Sequence, residues 1–196
     1  MTFGILFLGF GLGLLFVIPP GPIAVTLVEV SVGQGRAAGA RSGIGIAAGD
    51  TVAGAAAGLV VASGGVLPAA VFDWAQIVSA IVLVALGVAM LVQPGAVESF
   101  AHAIQRPGRT FFLLTSLTPT VFGSWLAILA ALPFAGHLPS TALFLLGAGG
   151  ASAVYHVALG SAAGTFGHHV SGPMMTRLAR GGGCAFAALG VAMLLG

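Results

Sequence analysis

Few side chains in this sequence can do chemistry, and they lie far apart along an apolar chain. Asp50 follows a run of glycine and alanine that begins after Arg41. If that run is helical, Asp50 stands about 13 Å past Arg41 at 1.5 Å per residue. In a hydrocarbon layer about 30 Å thick that is close to the midplane. A carboxylate there is costly unless it is paired, protonated or in water. No Lys or Arg falls inside any of the spans predicted below. Asp50 is therefore read as a proton carrier or as the partner of a cationic group. The plainer alternative is a protonated carboxyl bonded to neighbouring backbone.

Other groups fall at the same depth. Thr118-Pro119 lies about nine residues in from Arg109, and Ser152 about 13 residues in from Pro139. Tyr155 and His156 follow Ser152 by one turn. His156 is a candidate proton relay or a hydrogen-bonded packing histidine. Side chains of Ser152 and His156, at i and i+4, can meet on one helix face. That pairing alone makes a weak nucleophile–base motif, with no oxyanion-forming segment beside it. Glu29 lies nearer Arg36 and Arg41, where an interfacial ion pair and a role in a proton path are both open. Adjacent His168 and His169, without Cys or carboxylate neighbours, make a poor metal motif. Cys184 is the one cysteine, so no internal disulfide or paired-thiol centre exists. No metal or other cofactor is expected.

The elements that position these groups follow from composition. Of 196 residues 58% are hydrophobic and only 5% are charged, and the mean hydropathy is +1.13. A soluble domain carries about 25% charged residues. Ten charges cannot coat a soluble fold, and a net charge of +2 is no footprint for nucleic acid. The class is an all-α integral membrane protein in one transmembrane domain over 1–196. Apolar runs of about 20 residues predict six spans, at about 3–30, 42–64, 74–93, 110–133, 141–165 and 181–196. Met1 to Val30 reads as a retained span, because it lacks a basic leader and a clear cleavage site. The breaks carry turn residues: Gly33-Gln34-Gly35, Pro68, Pro94-Gly95, Pro107-Gly108, Pro139 and Gly172-Pro173.

Orientation follows from arginine. Arg36 and Arg41, Arg106 and Arg109, and Arg177 and Arg180 fall in three alternate loops, and the remaining loops hold no Arg or Lys. The positive-inside rule puts those three loops in the cytoplasm and both termini outside. The run Ala85-Leu-Gly-Val-Ala-Met-Leu91 recurs as Ala188-Leu-Gly-Val-Ala-Met-Leu194, half a chain later. Three spans per half make the halves an inverted repeat, about 1–95 and about 108–196. In transporters built this way the substrate site lies at the repeat interface near the midplane. The first span of each half is also interrupted, by Pro19-Pro20-Gly21-Pro22 and by Thr118-Pro119. Proline removes a backbone donor and clashes with the preceding turn. In lipid, broken backbone survives only inside protein or beside a watery cavity.

Pro20-Gly21-Pro22, then Gly33-x-Gly35-Arg36-x-Ala38-Gly39, then Gly43-x-Gly45-x-x-x-Gly49-Asp50 form an ordered set. That set resembles the amino-terminal signature of the lysine exporter (LysE/RhtB) family of amino-acid efflux proteins. Leu132-Pro133-Phe134 resembles the family's pattern in the second half. Where the family carries Asn-Pro-Lys, this chain has Thr118-Pro119-Thr120. The resemblance implies a divergent, non-enzymatic transporter. It would export amino acids or similar small solutes across the bacterial inner membrane, coupled to an ion such as a proton. It implies Pro20, Gly21, Pro22, Gly49, Asp50 and Pro119 as motif positions. A half-helix N-terminus at the Pro19–Pro22 break suits a substrate carboxylate. Asp50 suits the α-ammonium or a proton, and Thr118 and Ser152 suit hydrogen bonds to substrate. Ion coupling would fall to Asp50, with Glu29 and His156 as further candidates. The partners are then the solute, the coupling ion and the bilayer, with homo-oligomerisation left open. Heavy-metal or other cation efflux, a membrane enzyme and a non-transporting scaffold are the competing classes.

Overall fold

A computed structural model describes residues 2–18, 22–64, 69–92, 104–167 and 172–195. Pro19, Pro20, Gly21, Pro68, Pro94-Gly95, Glu98 and His168-His169 lie outside them. The described residues form helices and connecting turns, with no strand. The helices are α1 (Thr2–Val17), α2 (Pro22–Gln34), α3 (Arg36–Ala62), α4 (Ala69–Val92), α5 (Pro107–Ser116), α6 (Pro119–Ala131), α7 (Leu138–Phe166) and α8 (Gly172–Leu195). Two of them, α3 and α7, are long and apolar enough to cross a membrane. Helices α5 and α6, bent by 57° at Leu117-Thr118, make a third if taken as one broken span.

Proline placement explains where the helices start. Pro22, Pro107, Pro119, Pro139 and Pro173 each stand in the first turn of a helix. There the missing N–H is one that the helix leaves unbonded anyway. The expected break at Gly172-Pro173 is therefore the beginning of α8. Arg177 and Arg180 lie within that helix rather than in a loop before it. Helix α3 likewise begins at Arg36, because the turn from α2 needs only Gly35, whose φ of 85° suits glycine. Arg36 and Arg41 are thus helical, as is Asp73 in α4.

Helix α3 and helix α7 form the centre and run antiparallel. Gly39 lies against Gly160, Gly43 against His156, Gly54 against Leu145 and Gly58 against Thr141. Added bulk has nowhere to go: a methyl on Gly43 would stand 2.6 Å from the His156 carbonyl carbon and the Val157 nitrogen. Such small-residue faces let helices approach to backbone contact. The broken helices flank this pair. Gly9 and Gly13 of α1 lie against Phe144 and Ala148 of α7, and farther along Leu27 of α2 lies against Gly160 and Val32 against Gly167. So α1 and α2 both run parallel to α7, one after the other along its length. In the same way α5 and α6 run parallel to α3, with Thr115 against Gly49, Trp125 against Gly54 and Leu129 against Gly58. Helices α4 and α8 pair antiparallel, through Gly87 with Gly183 and Gly190 with Ala80.

Two apolar clusters divide the interior. One gathers Ala53, Ala57, Trp125, Leu129, Phe144 and Ala148. The other gathers Leu27, Val30, Ala38, Ile46, Ile104 and Phe111. Between them, on α3 and α7, falls a layer of buried polar side chains. The outer surface is apolar as well: Phe3, Phe7, Leu15, Leu59, Leu117 and Leu146 are all exposed. An exposed apolar surface of this extent suits contact with lipid.

Candidate functional site

The polar layer is built from Asp50 on α3 and Ser152 and His156 on α7. All three are buried. Ser152 Oγ donates to Asp50 Oδ2 over 2.6 Å. His156 Nδ1 lies 3.0 Å from the Ser152 carbonyl oxygen and 3.1 Å from Ser152 Oγ. A carbonyl oxygen can only accept, so that contact assigns the proton to Nδ1. That one proton goes to the carbonyl and is at most shared with Ser152 Oγ, whose own proton goes to Asp50. Serine has a single proton, and it is committed to the carboxylate. With Nδ1 protonated, no basic lone pair of His156 faces the serine hydroxyl, as an activated nucleophile would require.

Local sequence makes the arrangement feasible. Ser31, Ser42, Thr51 and Ser116 each return their hydroxyl to the carbonyl one turn earlier in their own helix, at 2.5–2.9 Å. This is the usual fate of a helical hydroxyl. Ser152 turns across to the neighbouring helix instead, because Gly43 and Gly54, on either side of Asp50, keep α3 slim toward α7. Gly149, one turn before Ser152, gives room to Thr51: a methyl there would lie 2.5 Å from Thr51 Oγ1.

The site reaches the helix break through Tyr155, which packs edge-on to His156 at 5.0 Å between ring centroids. Its hydroxyl donates to the Ile18 carbonyl over 3.2 Å. Ile18 is the last described residue before the break. Residue 22, which would donate to this carbonyl in an α-helix, is proline and has no N–H, so a side chain of α7 satisfies it instead.

The expected site residues divide as follows. Asp50, Ser152 and His156 come together. Gly49 lies beside them but faces Thr115, whose Cβ a methyl on Gly49 would approach to 2.7 Å. Thr118 and Pro119 do form the α5–α6 break, yet the Thr118 hydroxyl bonds back to the Leu114 carbonyl and Pro119 is exposed. Thr118 therefore caps a chain end and does not reach Asp50. Pro22 opens α2, and Pro20 and Gly21 fall outside the described residues. Glu29 is buried on α2. With Leu27 level with Gly160 and Val32 with Gly167, it stands about 10 Å along α7 from His156.

Two residues near the site carry a signal that pattern reading missed. Thr115 Oγ1 and Trp125 Nε1 are buried without a hydrogen-bond partner. Thr115 precedes the break by one turn and Trp125 follows it by about two, so the two halves of the broken span each bring one orphaned donor to α3. A buried donor left unbonded costs about 1–3 kcal/mol. The clue in the sequence is distance from Pro119, since both lie within reach of interrupted backbone. Among the described residues no three His, Cys, Asp or Glu side chains stand close enough together to hold a metal ion. Comparison with protein-family models, curated proteins and solved structures finds no match for this chain.

Proposed function

We propose that the protein is a secondary transporter that exports amino acids or related small solutes across the bacterial inner membrane, in exchange for a proton. The observation that carries this reading is the buried Asp50–Ser152 bond between the two central helices. A carboxylate placed at the middle of two apolar helices has no structural need to be there, because apolar packing would hold those helices more cheaply. Its hydrogen-bonded link to His156 provides a route for a proton. The substrate ammonium and the proton would compete for Asp50, and the orphaned Thr115 and Trp125 donors would meet the substrate's acceptor atoms.

The proposed topology is six spans in two inverted halves, with both termini outside. Its support is reciprocal packing. The interrupted first span of each half lies parallel to the second span of the other half, and the second spans pair with each other, as do α4 and α8. The half-chain sequence repeat falls in α4 and α8. An inverted pair of this kind places a substrate site between the halves. The resemblance of residues 18–58 to the lysine exporter family points the same way.

The test is counterflow in proteoliposomes over a panel of amino acids at two pH values. Wild-type protein is expected to accumulate labelled solute, with a rate that changes with pH. Asp50→Asn keeps shape and hydrogen bonding but cannot exchange a proton. An Asp50→Asn variant that transports at the wild-type rate with unchanged pH dependence would refute the proposal.

A further inference from the structure

A second candidate site lies at the arginine-bearing end of the bundle. A cavity of about 460 Å³ opens between α3 and α5, lined by Arg41, Arg106 and Arg109 together with Ile44, Gly108 and Phe112. The lining segments, 41–48 and 105–112, hold three arginines and no acidic residue.

The backbone adds to it. Helix α5 starts here without a side-chain cap on its N-terminus. Thr110 is bonded back to the Arg106 carbonyl, and Pro107 has no N–H. The amides of Gly108 and Arg109 are those a helix start leaves for an outside acceptor. Three exposed arginines and a bare helix start border this open groove, and together they suit an anion with several oxygens, above all a phosphate. One wall is apolar and outward-facing, since Ile44 is 59% exposed and Phe112 borders the same space. Free phosphate has no use for such a wall, whereas a phospholipid does.

We propose that this cavity binds the phosphate of an anionic phospholipid headgroup, with the upper acyl chain against Ile44 and Phe112. The site is separate from Asp50 and does not depend on what the protein transports. It depends on the chain residing in a bilayer. Basic pockets between spans on the cytoplasmic side are the usual place for such headgroups.

The experiment uses the full chain in neutral detergent and follows bound lipid by native mass spectrometry and the thermal unfolding midpoint. The probes are phosphatidylglycerol, phosphatidylcholine and inorganic phosphate. Phosphatidylglycerol is expected to bind and to raise the midpoint, phosphatidylcholine to do neither, and inorganic phosphate to do so only at far higher concentration. Arg41→Gln, Arg106→Gln and Arg109→Gln are each expected to weaken phosphatidylglycerol binding about fivefold. Arg177→Gln with Arg180→Gln, on α8, should leave it unchanged. Equal binding of phosphatidylcholine, or equal loss in the α8 variant, would overturn the site. Inorganic phosphate matching phosphatidylglycerol at the same concentration would overturn the lipid as its occupant.

Discussion

Ser152 on α7 spends its one hydroxyl proton on Asp50 of α3, across 2.6 Å and between two apolar clusters. The bond joins residues 102 apart in sequence. It is also what the fold around it protects, since slim glycine faces bring the two helices close enough for it to form.

Removing the donor tests the bond's structural weight. Ser152→Ala leaves Asp50 buried without its partner. The expected cost is about 1–3 kcal/mol of stability, the penalty for stripping a hydrogen bond from a buried polar group. Membrane hydrogen bonds average less, about 0.6 kcal/mol, so a result at the low end would mean that Asp50 finds another donor. Thermal unfolding in detergent measures it. Pairing Ser152→Ala with Asp50→Ala in a double-mutant cycle isolates the coupling.

Glycine contacts give a sharper contrast. Gly43→Ala would drive a methyl into the backbone of His156 and Val157, and backbone at that position cannot yield. A loss of about 1–3 kcal/mol is expected. Gly123→Ala on α6 meets nothing within 4 Å. There the gain in helix propensity should stabilise the protein by about 0.5–1 kcal/mol. The two variants, run side by side in thermal unfolding, should move in opposite directions.

Thr115→Val replaces an orphaned hydroxyl by a methyl of the same shape. The fold should gain about 1 kcal/mol, since an unbonded buried donor is removed. If Thr115 meets substrate as proposed, the same variant raises the KM for transport while stability rises. Measuring both separates a structural hydroxyl from a binding one.

Tyr155→Phe deletes the donor to the Ile18 carbonyl and keeps the ring against His156. About 0.5–1.5 kcal/mol is at stake. Hydrogen exchange is expected to quicken at the end of α1 next to the break, with the α3–α7 interface unaffected.

Orientation can be read by labelling. In a Cys184→Ser background, His137→Cys should react with an impermeant maleimide from outside intact cells. Arg106→Cys should react only after the membrane is opened. The reverse pattern would invert the proposed topology.

Much of the site could be read by counting turns. Helical rise puts Asp50 and Ser152 at one level, and the hydrogen bond between them agrees, because α3 and α7 are long and uninterrupted. Counting worked less well near proline. Thr118 falls at the same level, but beside a break its hydroxyl serves its own chain, and depth says nothing about which way a side chain turns. Thr115, one turn away, reads like any helical threonine; its packing against Gly49 and its unbonded hydroxyl are seen only in the structure. Gly172-Pro173 reads as a boundary loop from the sequence, because proline in a helix's first turn and proline in a loop turn share one spelling. The α3–α5 cavity was invisible because its arginines come from two segments far apart in sequence.

The Asp50–Ser152 bond sits at the midpoint of both helices it joins, α3 from Arg36 to Ala62 and α7 from Leu138 to Phe166. Each helix therefore extends about 20 Å on either side of it. The bond is a fulcrum with equal arms. Any tilt of one helix against the other about this point parts the ends on one side by as much as it draws them together on the other, while the carboxylate itself stays where it is.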